Sequence, residues 1–148
     1  MSSRLELTDN QHCFACGPQN PTGLQLCFAV SNGRARAEVT ADARFQAYVG
    51  IVHGGIVATL LDEAMAYAAI SLGRWTVTAE MTVRYLKPAR IGERLILTGE
   101  VIRNTSRLAE CTAELCTEAG ERIAVARGKL LKGEPVPATQ TTCRGVAP

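Results

Sequence analysis

The stretch 52–70 constrains the fold of this chain more than any other. It opens with a His-Gly-Gly motif at 53–55 and continues with residues that favour a helix or are small enough to pack in one. From there to Gly73, only the adjacent Asp62 and Glu63 carry charge. A surface helix has a polar face, whereas a helix that is apolar nearly all round is buried. The stretch therefore predicts a central buried helix, with two acids placed where acids are costly.

The composition is that of a globular protein with one domain. The 148 residues are 47% hydrophobic and 20% charged, which excludes wholesale disorder and allows a sizeable core. The formal net charge of +2 gives no bulk electrostatic argument for binding nucleic acid or a membrane surface. We therefore expect neither as a partner, and any anion must be bound by a local cluster of basic residues.

The sequence predicts neither export nor a membrane span. Residues 1–6 have no apolar signal core, so we expect a cytoplasmic protein whose six cysteines are reduced. The helical stretch is the only one worth testing as a span. Its two central acids would each cost roughly 2.5–3.5 kcal/mol in lipid, which argues against it.

The rest of the chain is predicted to form strands joined by short turns. Alternating residues and intervening turn signals predict six strands, at 24–30, 34–40, 77–86, about 93–103, 106–118 and 121–131. In 77–86 the odd positions are apolar and the even ones, up to Arg84, are polar, so one face should be buried. The helix should run from about 54 to 72, with Gly73 as its C-cap.

These elements predict an α+β fold in which a curved antiparallel sheet of about six strands wraps around one long helix. Short connections make consecutive strands antiparallel neighbours. One small sheet does not enclose a helix that is apolar all round, so a second subunit should cover the rest. Residues 24–132 form this domain, 1–23 form an N-terminal cap segment, and 133–148, with little to bury, form a flexible tail.

Two features of the helix can carry chemistry. The N–H groups of Gly54 and Gly55 at its start can polarise a carbonyl oxygen, although these glycines can equally serve only a tight turn. Asp62 and Glu63 point about 100° apart, so they cannot both face one pocket in the same way. A buried carboxylate can act as a general base, and the alternative is a structural ion pair with an arginine such as Arg84.

The N-terminal segment contains a Cys-x-x-Cys motif, Cys13 to Cys16. A lone pair of this kind is half of a zinc site, and no second pair follows at a matching spacing. We therefore expect an ordered structural cap and no metal in the catalytic site. Metal binding or redox chemistry at the two cysteines is the alternative.

The pattern His-Gly-Gly-x4-Leu-x-Asp-x-Ala at 53–64 resembles the signature of the hotdog-fold acyl-CoA thioesterases of the PaaI-like type, in the 4-hydroxybenzoyl-CoA thioesterase superfamily. Residues 80–89 with Gly92-Glu93 resemble the strand and turn that follow the helix in that family. Residues 13–24 resemble an N-terminal segment of one branch of it. The matches together cover most of 13–131.

The resemblance implies a hotdog fold and a homodimer with acyl-CoA at the dimer interface, and it implies that two such dimers pair into a homotetramer. Coenzyme A is part of the substrate, and no separate cofactor is implied. Asp62 matches the catalytic carboxylate, as general base or nucleophile. Gly54 and Gly55 match the helix start that polarises the thioester carbonyl, and His53 supports that turn. Thr78 matches a hydroxyl residue that helps to hold the water and comes from the partner subunit.

The resemblance also implies a set of substrate contacts. Two turns match the surface on which CoA rests, and the residues concerned are Tyr85, Lys87, Pro88 and Arg90 in the first and Arg103 and Arg107 in the second. Glu80, on the strand before the first turn, is a further candidate. Gln46 is the nearest amide where some relatives carry a polar residue before the His-Gly-Gly motif. Glu63 is an alternative to Asp62 as the catalytic carboxylate, because other hotdog enzymes use a glutamate near this part of the helix.

The predicted function is hydrolysis of an acyl-CoA, short-chain, medium-chain or aryl, to the free acid and CoA. A non-catalytic hotdog protein that binds acyl-CoA or fatty acyl groups is the main alternative. A hotdog dehydratase or hydratase needs a histidine acting with an acid, and His53, the only histidine near the predicted core, lies in a turn. A plain structural protein would leave the acid pair unexplained.

Overall fold

A computed structural model of the chain describes residues 5–137, which form one long helix and one six-stranded sheet. The helix α1 spans Gly54–Ile70, and the strands are β1 Ala29–Ser31, β2 Arg34–Thr40, β3 Arg74–Tyr85, β4 Arg94–Asn104, β5 Leu108–Thr117 and β6 Arg122–Pro135. A short 3-10 helix, Ala43–Phe45, precedes α1. The strands are all antiparallel, in the order β1-β2-β4-β5-β6-β3. The predicted α+β class, with a curved sheet wrapped around one helix in a hotdog fold, is confirmed.

The core lies between α1 and the face of the sheet that it covers. The buried side chains include Leu60, Leu61, Met65 and Ala68 from the helix and Leu95, Leu97, Cys111, Leu115 and Leu130 from the sheet. The helix lies closest to the sheet at Gly99 in β4, where an added Cβ would be 2.2 Å from the Ala64 carbonyl oxygen. Only glycine allows this approach. Burying each large aliphatic side chain contributes about 1.5–3 kcal/mol, so this packing holds α1 in place.

Strand β1 is shorter than the predicted strand at 24–30. The N–H groups of Leu24 and Leu26 donate to the carbonyl oxygens of Phe14 and Ala15, each at 2.9 Å, and Gln25 has a φ of 50°. This segment therefore pairs with the N-terminal segment and not with the sheet. Residues 24–26 alternate like a strand but bond to the N-terminal segment, and only Ala29–Ser31 joins the sheet edge.

The end of α1 differs from the prediction by two residues. The helix ends at Ile70, and its C-cap is Ser71 rather than Gly73. The Ser71 hydroxyl accepts the Gly33 N–H at 2.7 Å and donates to the Ala68 carbonyl oxygen at 2.6 Å. Gly73 takes a φ of 96° in the turn that leads to β3. The glycine thus serves the turn, while the serine joins the helix end to the β1–β2 hairpin.

Strand β3 contains an irregularity that the sequence pattern concealed. Its register against β6 shifts between Thr78 and Glu80, which leaves Ala79 as an extra residue. Before the shift, Thr76 and Thr78 are half-buried and Val77 is exposed; after it, the half-buried residues are Met81 and Val83. A bulge of this kind reverses which residues face the core. The predicted single apolar face is therefore correct only for the second half of β3.

Both ends of the domain differ from the predicted boundaries. Strand β6 continues through Pro135, into the segment 133–148 predicted as a tail, and the remainder of that tail from 138 onward lies outside the described residues.

Cys27 is disulfide-bonded, so the expectation that every thiol is reduced is wrong at that position. Among residues 5–137, no helix is long and apolar enough to cross a membrane.

Candidate active site

Asp62 and Thr78 form a hydrogen-bonded pair between α1 and β3. The Thr78 hydroxyl donates to Oδ1 of Asp62 at 2.6 Å, and both residues are half-buried. The bulge at Ala79 is what turns Thr78 towards the helix. The expectation that Thr78 reaches the site from the partner subunit is corrected by this contact, because the threonine and the aspartate belong to the same chain.

Glu63 points away from that pair, towards the N-terminal segment. Its Oε1 is 3.9 Å from the Cys13 Sγ, and the Cys16 Sγ also lies within 4.8 Å of a Glu63 carboxylate oxygen. Burial raises the pKa of the Glu63 carboxyl, against the opposing effect of the Cys16 hydrogen bond. Among the ion pairs of residues 5–137 neither acid appears, so the alternative of a structural pair with Arg84 is wrong.

The start of α1 offers one free backbone donor. His53 is the N-cap, and its Nδ1 accepts the Gly55 N–H at 2.9 Å, so that donor is already used. No hydrogen bond within the described part of the chain occupies the Gly54 N–H. The first N–H groups of a helix are electropositive because of the macrodipole. Gly54 is therefore the donor available to a carbonyl oxygen or an oxyanion, and His53 fixes the turn that presents it.

The turn after β3 packs against this helix start. The Tyr85 hydroxyl donates to the Gly54 carbonyl oxygen at 2.8 Å, and the Val52 N–H donates to the Ala89 carbonyl oxygen at 2.9 Å. The turn residues expected to contact CoA, Lys87, Pro88 and Arg90, are all exposed there. The sequence pattern does not predict the contact of Tyr85 with Gly54, and the only signal for it is the position of Tyr85 at the end of a strand.

The second turn predicted to contact CoA lies at the other end of the sheet. Arg103 and Arg107 flank the β4–β5 connection, whereas the turn that contains Arg90 precedes β4. The eleven residues of β4 separate these turns by about 33 Å, so one chain does not join them into a single basic patch. Their proposed contacts with substrate stay predictions.

Several of the predicted contact residues already have partners. Lys87 forms an ion pair with Glu121, Arg103 with Glu110 at 3.3 Å, and Glu80 with Lys129 at 3.4 Å. The Gln46 side-chain oxygen accepts the Gly50 N–H at 3.4 Å, which closes the loop before α1. Exposed ion pairs of this kind contribute little to stability, so these side chains remain free to exchange partners.

Comparison with known proteins places the chain in a family. The family model described as the thioesterase superfamily matches residues 49–124, just over half of the chain, and includes the helix start, Asp62 and Thr78. The chain belongs to the thioesterase superfamily. The match stops short of the N-terminal segment, so the Cys-x-x-Cys motif is outside the part that defines the family.

Relatives and solved structures agree with this membership. Human acyl-coenzyme A thioesterase 13 is 28% identical over 102 residues, which cover 68% of this chain and 72% of the relative. The structure of the Escherichia coli PaaI protein has a TM-score of 0.70 at 26% identity, covering 76% of this chain and 82% of that one. A thioesterase protein from Streptococcus pneumoniae, solved with coenzyme A, has a TM-score of 0.71 at 21% identity and covers 74% and 87%, a likeness of fold.

Proposed function

We propose that this thioesterase hydrolyses acyl-CoA, with Asp62 as the general base or nucleophile and the Gly54 N–H as the donor to the thioester carbonyl. The observation that carries the proposal is the Thr78–Asp62 hydrogen bond, in a chain where Asp62 has no ion-pair partner among the described residues. The names of the relatives, acyl-coenzyme A thioesterase 13 and PaaI, and the coenzyme A bound to the streptococcal neighbour support the substrate class. The cytoplasmic location expected from the sequence remains part of this proposal.

The Thr78 hydroxyl fixes one oxygen of the Asp62 carboxylate and leaves the other for catalysis. As general base, Asp62 takes a proton from water while the water oxygen attacks the thioester carbon. The carbonyl oxygen becomes an oxyanion, which the Gly54 N–H stabilises. The C–S bond then breaks, and the sulfur of CoA receives the proton held by Asp62. As nucleophile, the Asp62 carboxylate would instead attack the thioester carbon, and the C–S bond would break to release CoA thiolate, which takes a proton from solvent. Water would then hydrolyse the resulting anhydride to the free acid and the Asp62 carboxylate.

The spacing on α1 favours a site built from two chains. Gly54 and Asp62 are eight residues apart, or about 12 Å along the helix axis. In a working arrangement the base contacts the water, the water contacts the thioester carbonyl, and the carbonyl contacts its donor. Three contacts of about 3 Å each span a shorter distance than the one that separates Gly54 from Asp62 along the helix. We therefore propose that the Gly54 N–H of one protomer acts on the same carbonyl as Asp62 of its partner.

The sheet offers a surface for such a dimer. Among the described strands, β3 is one edge of the sheet, and its twelve residues have β6 on one side only. A long unpaired edge readily pairs with another chain. Pairing of β3 with β3 of a second copy would place two Asp62–Thr78 pairs near the interface. We propose a homodimer of this kind, which pairs further into a homotetramer.

The test is release of free thiol from a panel of short-chain, medium-chain and aryl acyl-CoA substrates. Asp62→Asn should lower kcat about 100-fold or more, because it removes the base while keeping the side-chain volume. Glu63→Gln is the matched control on the adjacent residue and should retain far more activity. Equal loss in both variants, or a greater loss in Glu63→Gln, would contradict the assignment of Asp62. Tight binding of acyl-CoA without thiol release across the panel would favour the non-catalytic alternative.

A further inference from the structure

The N-terminal segment is folded so that two thiols point the same way. Cys13 and Cys16 are joined by a tight turn, in which the Gly17 N–H donates to the Cys13 carbonyl oxygen at 2.9 Å. A Cβ at Gly17 would lie 2.4 Å from the Cys13 nitrogen, so only glycine allows this turn. The Asn20 side chain donates to the His12 carbonyl oxygen at 3.2 Å and holds the other side of the loop. The position of both thiols is therefore fixed by the backbone.

The two thiols meet the carboxylate of Glu63, fifty residues further along the chain. The two sulfurs and a Glu63 carboxylate oxygen all lie within 4.8 Å of one another. Glu63 and Tyr67 are four residues apart on α1 and therefore share one face of the helix. The Cys16 thiol interacts electrostatically with both of them. This face is the one that the N-terminal segment covers, and Asp62 is turned away from it.

We propose that Cys13, Cys16 and Glu63 bind one zinc ion, which joins the N-terminal segment to α1. Two sulfurs and a carboxylate oxygen are a ligand set that zinc accepts. At ordinary Zn–S and Zn–O lengths, tetrahedral geometry separates two ligand atoms by about 3.6–3.8 Å. The observed separations, including 3.9 Å from the Cys13 Sγ to the Glu63 Oε1, need to shorten by no more than about 1 Å. Water completes the coordination.

Zinc binding at this cluster would exchange protons for the metal ion. Without metal, burial raises the pKa of the Cys16 thiol, and the nearby Glu63 carboxylate raises it further. The Cys13 thiol donates to the Glu63 carboxylate at 3.9 Å. On binding, zinc replaces the two thiol protons, which pass to solvent, and no electron is transferred. The ion also neutralises most of the charge of two thiolates and one carboxylate at a half-buried position.

The test is stoichiometric binding of Co²⁺ and Zn²⁺ to the full chain under reducing conditions. Reduced wild-type protein should bind one Co²⁺ per chain, with the absorption of thiolate-to-cobalt charge transfer, and Zn²⁺ should displace it. Zn²⁺ should also raise the Tm of the wild-type protein relative to a sample with chelator. These readouts do not depend on thioesterase activity, so the zinc site and the proposed function can fail separately.

Cys13→Ser and Cys16→Ser should each lose the charge-transfer band, and Glu63→Gln should weaken binding at least tenfold. Cys116→Ser is the matched control, because Cys116 is a free thiol on β5 outside the cluster. The chelated wild-type protein and the chelated variants should have similar circular dichroism, which separates loss of metal from loss of fold. The proposal is overturned if reduced wild-type protein binds no Co²⁺, or if the band persists in either Cys13→Ser or Cys16→Ser.

Discussion

Two adjacent acids on one helix have entirely different surroundings. Asp62 accepts a hydrogen bond from Thr78 on the sheet, and Glu63 contacts the thiols of Cys13 and Cys16. A rotation of about 100° between successive residues produces this division, because the sheet and the N-terminal segment cover different sides of α1. The role in catalysis that we propose for Asp62 and the role in holding the N-terminal segment that we propose for Glu63 therefore do not compete.

The Thr78 hydroxyl should matter for turnover more than for folding. Thr78→Val removes the donor to Asp62 while keeping the branched side chain that suits a strand. A hydrogen bond to a charged group is worth about 1.5–3 kcal/mol, so kcat should fall roughly 10- to 100-fold. Thr78→Ser keeps the donor and should retain most of the activity. Thr82→Val, at an exposed threonine of the same strand, is the control; an unchanged kcat in Thr78→Val would contradict the role of the pair.

At this scale the sequence predicted the residue types of the site but not their partners. The divergence of Asp62 and Glu63 followed from helix geometry alone. The contact of Glu63 with Cys13 joins residues fifty positions apart, and no local pattern encodes it. The intrachain contact of Thr78 also could not be predicted, because it depends on a bulge that arises from pairing with β6.

At the scale of elements, the start of α1 and strand β3 carry the residues of the candidate site. Helix α1 was predicted to within two residues because its apolar composition and its glycines are strong local signals. The position of strand β3 in the chain was predicted correctly, but the prediction of which residues face the core was wrong before Ala79. Alternation in the sequence does not reveal a shift of register. The length of strand β1 was overestimated, because residues 24–28 alternate like a strand although this segment bonds to the N-terminal loop.

The backbone donor at the start of α1 can be removed without breaking the helix. Gly54 is the first helical residue, where proline is favoured, and His53 has φ −59° and ψ 133°, which suits a residue before proline. Gly54→Pro deletes the N–H and should lower kcat roughly 100- to 1000-fold. Gly54→Ala keeps the N–H, and its Cβ would lie 3.6 Å from the Tyr85 ring, an ordinary contact. It should lose far less activity, and equal losses in the two variants would point to packing instead.

At the scale of the whole molecule, the proposed site requires residues from two chains. The described sheet has β3 along one edge, and the face of α1 that carries Asp62 lies against that strand. The two turns predicted to contact CoA are at opposite ends of β4, so a single chain cannot bring them to one ligand. A second copy, joined along β3, is the simplest arrangement that supplies a Gly54 donor near each Asp62.

Mixed dimers test this arrangement directly. Asp62→Asn and Gly54→Pro chains, each nearly inactive alone, are co-expressed with different affinity tags, and dimers that carry both tags are isolated. If each site takes Asp62 from one chain and Gly54 from the other, one site of every mixed dimer carries both substitutions and the other carries neither. The mixed dimer should then have about half of the wild-type kcat per dimer. Dimers of two differently tagged Asp62→Asn chains are the control and should stay inactive. If each chain builds its site alone, both sites of the mixed dimer remain defective and no activity returns.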